Sequence, residues 1–169
     1  MNKLYKLIKK IINFFLKLVF KITKKELTPE IEQGVMEFVK FGIVGLSNTL
    51  ISYLIYLVVL NVLDKYELLI KFDYFIANIV AFVLSVLWSF YWNNKYVFKV
   101  EDGKERNVFL ALIKTYMSYA FTGLLLNNVL AYVWIDVLGI NKNVAPLITL
   151  IISVPINFVI NKLWAFKSK

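Results

Sequence analysis

The chain has 169 residues, 60% of them apolar and 17% aromatic, with a net charge of +9. That is more apolar surface than a soluble domain of this size can cover, so the composition excludes one and puts the chain in a membrane. It has no Cys and no His, which removes thiol nucleophiles, disulfides, imidazole bases and most zinc or haem ligation.

Residues 1–27 begin MNKLYKLIKKIINFFLKLVFKITKK, where Lys9, Lys10, Lys17 and Lys21 interrupt every apolar core a secretory signal would need. Lys3, Lys6, Lys10, Lys17, Lys21 and Lys24 recur at helical steps, with Leu, Ile and Phe opposite them. The pattern predicts a basic amphipathic helix lying in the membrane interface. A disordered basic tail is the alternative.

Residues 28–169 read as a four-helix transmembrane domain. Thr28-Pro29-Glu30 supplies a cap, a first-turn proline and an acid at the positive end of a helix that runs on into the first span, with Gly34 as a local weak point. Uncharged runs extend from Phe41 to Leu63, Tyr74 to Asn94, Thr115 to Ile135 and Asn143 to Asn161. Each is close to the roughly 20 residues a helix needs to cross the hydrocarbon core, and none alternates as a barrel strand would. The spans are expected at about 38–62, 74–94, 114–136 and 143–163. The fold class is therefore an all-α integral membrane protein.

Charge sets the orientation. Residues 1–40 carry nine Lys against four Glu, the 95–114 connection five basic residues against three acidic, and the tail from Lys162 three Lys. The 64–73 and 136–142 connections are poor in Lys, so both termini and the middle connection are expected on the cytoplasmic side. That connection is too short for a catalytic domain, and no Asp, Glu or Arg lies inside the four uncharged runs. Acid–base catalysis and a proton-coupling carboxylate are both unsupported, and the chain is expected not to be an enzyme.

Spans two and four are written to one pattern. Sliding 74–99 onto 142–167 pairs Ala77 with Ala145, Ser85 with Ser153, Phe90 with Phe158, Asn93 with Asn161, Phe98 with Phe166 and Lys99 with Lys167. The dipeptides Asn94-Lys95 and Asn161-Lys162 sit one residue out of that register, which leaves the equivalence of the asparagines open. A two-helix unit crosses and returns, so the two copies are parallel repeats about an axis along the membrane normal. Chance likeness between apolar helices is the alternative.

Asn78, Ser85, Ser89 and Asn93, and likewise Thr149, Ser153, Asn157 and Asn161, form a polar stripe along each of these spans, expected to face protein. Ser47, Asn48, Thr49 and Ser52 add to it from span one. Interhelical hydrogen bonding explains such residues, and for Asn48, Asn93 and Asn161 a polar ligand does so equally. Lys40, Lys95, Lys114 and Lys162 stand at cytoplasmic span ends, where they either snorkel or converge on a phosphate. Trp92 and Trp164 suit an interfacial belt or a stacked sugar.

The segments KFGIVGLSNTLISYLIY at 40–56, ANIVAFVLSVLWSFYWNNKYVFK at 77–99 and APLITLIISVPINFVINKLWAFK at 145–167 resemble the GtrA-like family of small four-helix membrane proteins. The resemblance covers about residues 36–167, with Ser89 departing from Asn157 of the second copy. It implies a role in cell-envelope polysaccharide or teichoic acid glycosylation in the bacterial cytoplasmic membrane. Such proteins are expected to flip a polyprenyl-phosphate-linked monosaccharide to the outer face for a separate membrane glycosyltransferase. Gly45, Asn48, Thr49, Asn93, Asn94, Lys95, Asn157, Asn161, Lys162 and Trp164 match the family pattern, and Lys40, Trp92 and Lys114 join them as expected substrate contacts. A homodimer is expected, since four helices make a narrow path; no cofactor, metal or nucleic acid is. The rival readings are an accessory subunit of a partner glycosyltransferase and a small-molecule exporter, the latter weakened by the missing carboxylate in span one.

Overall fold

A computed structural model describes residues 10–14, 16, 20, 22, 26–68, 72–100 and 103–168. Among these the chain is helical, with four helices long and apolar enough to cross a membrane: α1 (Pro29–Lys65), α2 (Asp73–Val97), α3 (Val108–Val137) and α4 (Ala145–Ala165). The surface helix expected over 1–27 falls mostly on residues outside that set. Residues 10–14 are helical, and Asn13 Nδ2 donates to Glu32 Oε1 at 2.9 Å.

Thr28 caps α1, its Oγ1 accepting from the Ile31 amide at 3.4 Å, and Pro29 opens the first turn. The helix runs 37 residues without a break at Gly34. At about 1.5 Å per residue it is far longer than a hydrocarbon core of about 30 Å, so its first turns stand proud of the apolar span. Asn107 caps α3 in the same way, Oδ1 accepting from the Leu110 amide at 2.9 Å. Both helices therefore start ahead of their uncharged runs, at 29 and 108 where the spans are expected from 38 and 114. Just beyond the end of α3 at Val137, Gly139 has a φ of +67° that only glycine adopts at low cost, and the Ile140 amide closes back onto Trp134 O at 2.8 Å.

Burial follows the repeat. Ala77 and Ala145, Ser85 and Ser153, Asn93 and Asn161, and Phe98 and Phe166 are all buried, pair by pair. Small side chains at the first of these positions let backbones approach, the usual basis of helix packing where water exclusion between helices is not available. At the opposite end the aromatic residues form the core. Phe98 and Phe166 stack at 4.8 Å between centroids, and Phe90–Phe166 at 5.5 Å mirrors Phe98–Phe158 at 5.8 Å. The two copies thus meet through their equivalent rings. Asn78 is an exception to the expected inward stripe: it is exposed and donates to Tyr74 O of its own helix at 2.9 Å.

Candidate functional site

α2 and α4 do not stop as ordinary α-helices. Each widens into a π-turn, Asn93–Val97 and Asn161–Ala165. The Phe98 amide donates to Asn93 O and the Phe166 amide to Asn161 O, both at 2.8 Å, five residues back. These turns swing Phe98 and Phe166 into the core and leave Lys99 and Lys167 at the rim. They also settle the register: Asn93 is the equivalent of Asn161, so Asn94 matches Lys162 and Tyr96 matches Trp164.

At this end α1, the two π-turns and the segment before α3 enclose an open cavity of about 730 Å³. Among the described residues its charged lining is Lys40, Lys99, Lys104, Arg106, Lys162 and Lys167, six cations, against the carboxylates of Glu32 and Glu37. Lys162 Nζ pairs with Glu37 Oε2 at 2.7 Å, the carboxylate side chain being only 13% exposed. A surplus of cations in a half-enclosed space attracts an anion more strongly than the same charges spread over a surface, because less water screens them.

Arg106, the sole arginine of the sequence, holds the site together. Its Nη1 donates to Asn94 Oδ1 at 2.9 Å and to Phe98 O at 2.7 Å, while the guanidinium lies 5.3 Å from the centre of the Phe166 ring. One side chain thereby ties the end of the first copy to the end of the second. Burial pulls its pKa below the ordinary value. Nε is buried with no partner among the described residues. In the sequence Arg106 is only one of five basic groups in the connection. A lone Arg among lysines was the available signal, since Arg alone combines a planar fork with ring stacking.

The structure brings together fewer of the expected contacts than their spacing suggested. Lys40 and Lys162 line the cavity. Lys95 does not: its Nζ donates to Tyr91 OH at 3.0 Å and lies 5.3 Å from the centres of both the Tyr91 and the Tyr96 ring. Lys114 donates to Trp164 O at 3.4 Å and lies over the Trp164 ring. The four lysines therefore do not converge. A one-residue offset on a helix is a rotation of about 100°, which sends Lys95 and Lys162 to different faces.

The amide nitrogens of Asn93 and Asn161 are occupied, whereas their Oδ1 atoms are buried with no partner among the described residues. Asn161 Nδ2 lies 2.9 Å from Ser118 Oγ and 2.8 Å from Asn157 Oδ1, and Ser118 Oγ donates to Asn157 Oδ1 at 3.0 Å, which pins α3 to α4. Asn93 Nδ2 donates to Ser89 Oγ at 3.2 Å, and Ser89 Oγ shares a 2.6 Å hydrogen bond with Tyr119 OH, pinning α2 to α3. Both are fully buried, and Asn94 is taken by Arg106. Asn48 is half-buried about two turns further along α1, whereas Thr49 is exposed and bonds Gly45 O of its own helix at 3.2 Å. Trp92 is half-buried, stacked on Tyr96 at 5.3 Å, and Trp164 is 40% exposed. Among the described residues no cluster of acidic side chains could hold a metal ion.

The family model described as the GtrA/DPMS transmembrane domain matches residues 40–166. The cell wall teichoic acid glycosylation protein GtcA of Listeria monocytogenes is 31% identical over 144 residues, 84% of this chain and 90% of that one. Its namesake from Listeria innocua is 28% identical over 141 residues. A dolichol-phosphate mannosyltransferase of Pyrococcus furiosus is 31% identical over 131 residues, 78% of this chain but only 34% of the mannosyltransferase.

Proposed function

The chain belongs to the GtrA/DPMS transmembrane domain family, and from that premise we propose that it flips a polyprenyl-phosphate-linked monosaccharide across the bacterial cytoplasmic membrane for glycosylation of a cell-wall polymer. The observation that carries this reading is the cavity of about 730 Å³ at the end of the bundle, lined among the described residues by six cations against two carboxylates. A phosphodiester head group is a compact anion, and such a cavity offers charge without demanding a catalytic acid or base. The similarity to proteins named for teichoic acid glycosylation supports the polymer class. The basic end faces the cytoplasm by the excess of Lys and Arg there. The chain performs no chemical step of its own in this reading.

Capture begins with the phosphate entering among Lys40, Lys99, Lys162 and Lys167, where it competes with Glu37 for Lys162. Arg106 keeps the two π-turns together while the head group is held, its Nη1 already spent on Asn94 and Phe98. The polar residues between α2, α3 and α4 then offer hydrogen bonds to sugar hydroxyls as the helices shift.

Proteoliposomes holding the purified chain alone test the proposal with a fluorescent polyprenyl-phosphate sugar and a quencher confined to the outside. Equilibration of the label between leaflets is the expected result, and a distribution matching protein-free vesicles overturns it. A second reading, an accessory subunit of a membrane glycosyltransferase, is favoured by the match to about a third of a mannosyltransferase. That reading gains if flipping appears only with a partner enzyme present.

A further inference from the structure

Beside the cation-lined cavity lies a smaller groove of about 230 Å³ between α1 and α2, lined by Lys40, Ile43, Val44, Trp92, Tyr96 and Val97. Lys40, Tyr96 and Val97 line both spaces, so the groove continues the cavity sideways. Among the described residues Lys40 is its single charged one, at the boundary; the other described walls are aliphatic or aromatic. Ile43 is 50% and Tyr96 45% exposed, which puts the outer edge of the groove on the surface that meets lipid.

The walls are held in shape by neighbouring contacts. Trp92 stacks on Tyr96 at 5.3 Å and packs edge-on to Trp88 at 5.4 Å. Trp88 Nε1 in turn donates to Ser47 Oγ of α1 at 3.1 Å, fixing the separation of the two helices. The second half does not repeat this arrangement: Ile160 stands where the first half has Trp92, and Lys114 lies over Trp164, the counterpart of Tyr96.

We infer that this groove is the side port that receives the first isoprene units of the polyprenyl chain, so that substrate loads between α1 and α2 and not between α3 and α4. The inference rests on the proposed function. An amphiphile whose anionic head sits among cations must lead its chain out where charge gives way to apolar wall, since isoprenoid carbon held in water is unfavourable. Lys40 marks that boundary. The occupant is a single chain and not a helix of a second copy, because a helix about 10–12 Å across does not enter a groove of this volume.

The test uses farnesyl phosphate carrying a diazirine on its first isoprene unit, irradiated with the full chain in liposomes, with labelled peptides mapped by mass spectrometry. Label on Ile43, Val44 and Trp92 is expected to exceed label on Phe121, Ile160 and Trp164 by roughly tenfold. Ile43→Trp should abolish the groove label, while inorganic phosphate still competes a fluorescent anion from the cavity as in the wild type. Equal label in both halves overturns the port, as does equal groove label from phosphatidic acid carrying the diazirine in an acyl chain. Farnesyl phosphate that fails to bind the wild type at all overturns the port together with the proposed function.

Discussion

Lys95 and Lys162 are alike in text and unlike in surroundings. Lys95 is held outside by Tyr91 and Tyr96, whereas Lys162 faces the cavity and Glu37. Lys162→Gln should therefore weaken binding of a soluble sugar phosphate by about 1.5–3 kcal/mol, one to two decades, the range for hydrogen bonds to charged groups. Lys95→Gln should change it by less than about 1 kcal/mol, as expected of an exposed cation. Titration calorimetry in detergent reads both, and equal losses would return Lys95 to the site. Glu37→Gln removes the anion that competes for Lys162, so it should tighten the same binding several-fold; weaker binding would show that the carboxylate organises the cavity instead. Arg106→Lys is the third case. An ammonium cannot reproduce the bonds to Asn94 and Phe98 together with the contact on Phe166, so thermal stability should fall even though charge is kept.

At the scale of elements, a π-turn closes each copy of the repeat and starts at a fully buried asparagine, Asn93 or Asn161. Asn161→Ala removes bonds to Ser118 and Asn157 at the start of the second turn, where the side chain is fully buried. Interhelical bonds in membrane proteins contribute about 0.6 kcal/mol on average and up to about 1.7, so with the added cavity a loss of roughly 1–3 kcal/mol is expected. Unfolding in mixed detergent measures it. A variant as stable as the wild type would mean that Asn161 serves substrate and not packing. The helices themselves were legible as uncharged runs, because lipid selects apolar side chains one by one. Their starts were less so at α3, where Asn107 caps a turn lying outside the uncharged run. The π-turns were not legible at all, since one extra residue in a turn leaves no mark on an apolar pattern read over a whole span.

For the whole molecule, orientation is the first quantity to establish. The chain has no Cys, so single cysteines can report on it without background. Lys104→Cys, at the basic end, should react with an impermeant maleimide only after cells are opened, and Asn141→Cys, in the connection after α3, should react in intact cells. The reverse pattern would place the cavity outside and contradict capture from the cytoplasmic leaflet. Composition and charge were sufficient for the membrane class and the four spans, because each depends on how many residues of a kind follow one another, and the repeat was legible in residues matched position by position between 74–99 and 142–167. The surroundings of each lysine, and the part played by Arg106, were decided only by the folded chain. A rotation of about 100° per residue turns a one-place slip between two similar sentences into different faces. A guanidinium finds Asn94, Phe98 and Phe166 together only after two segments about 70 residues apart have closed on one another.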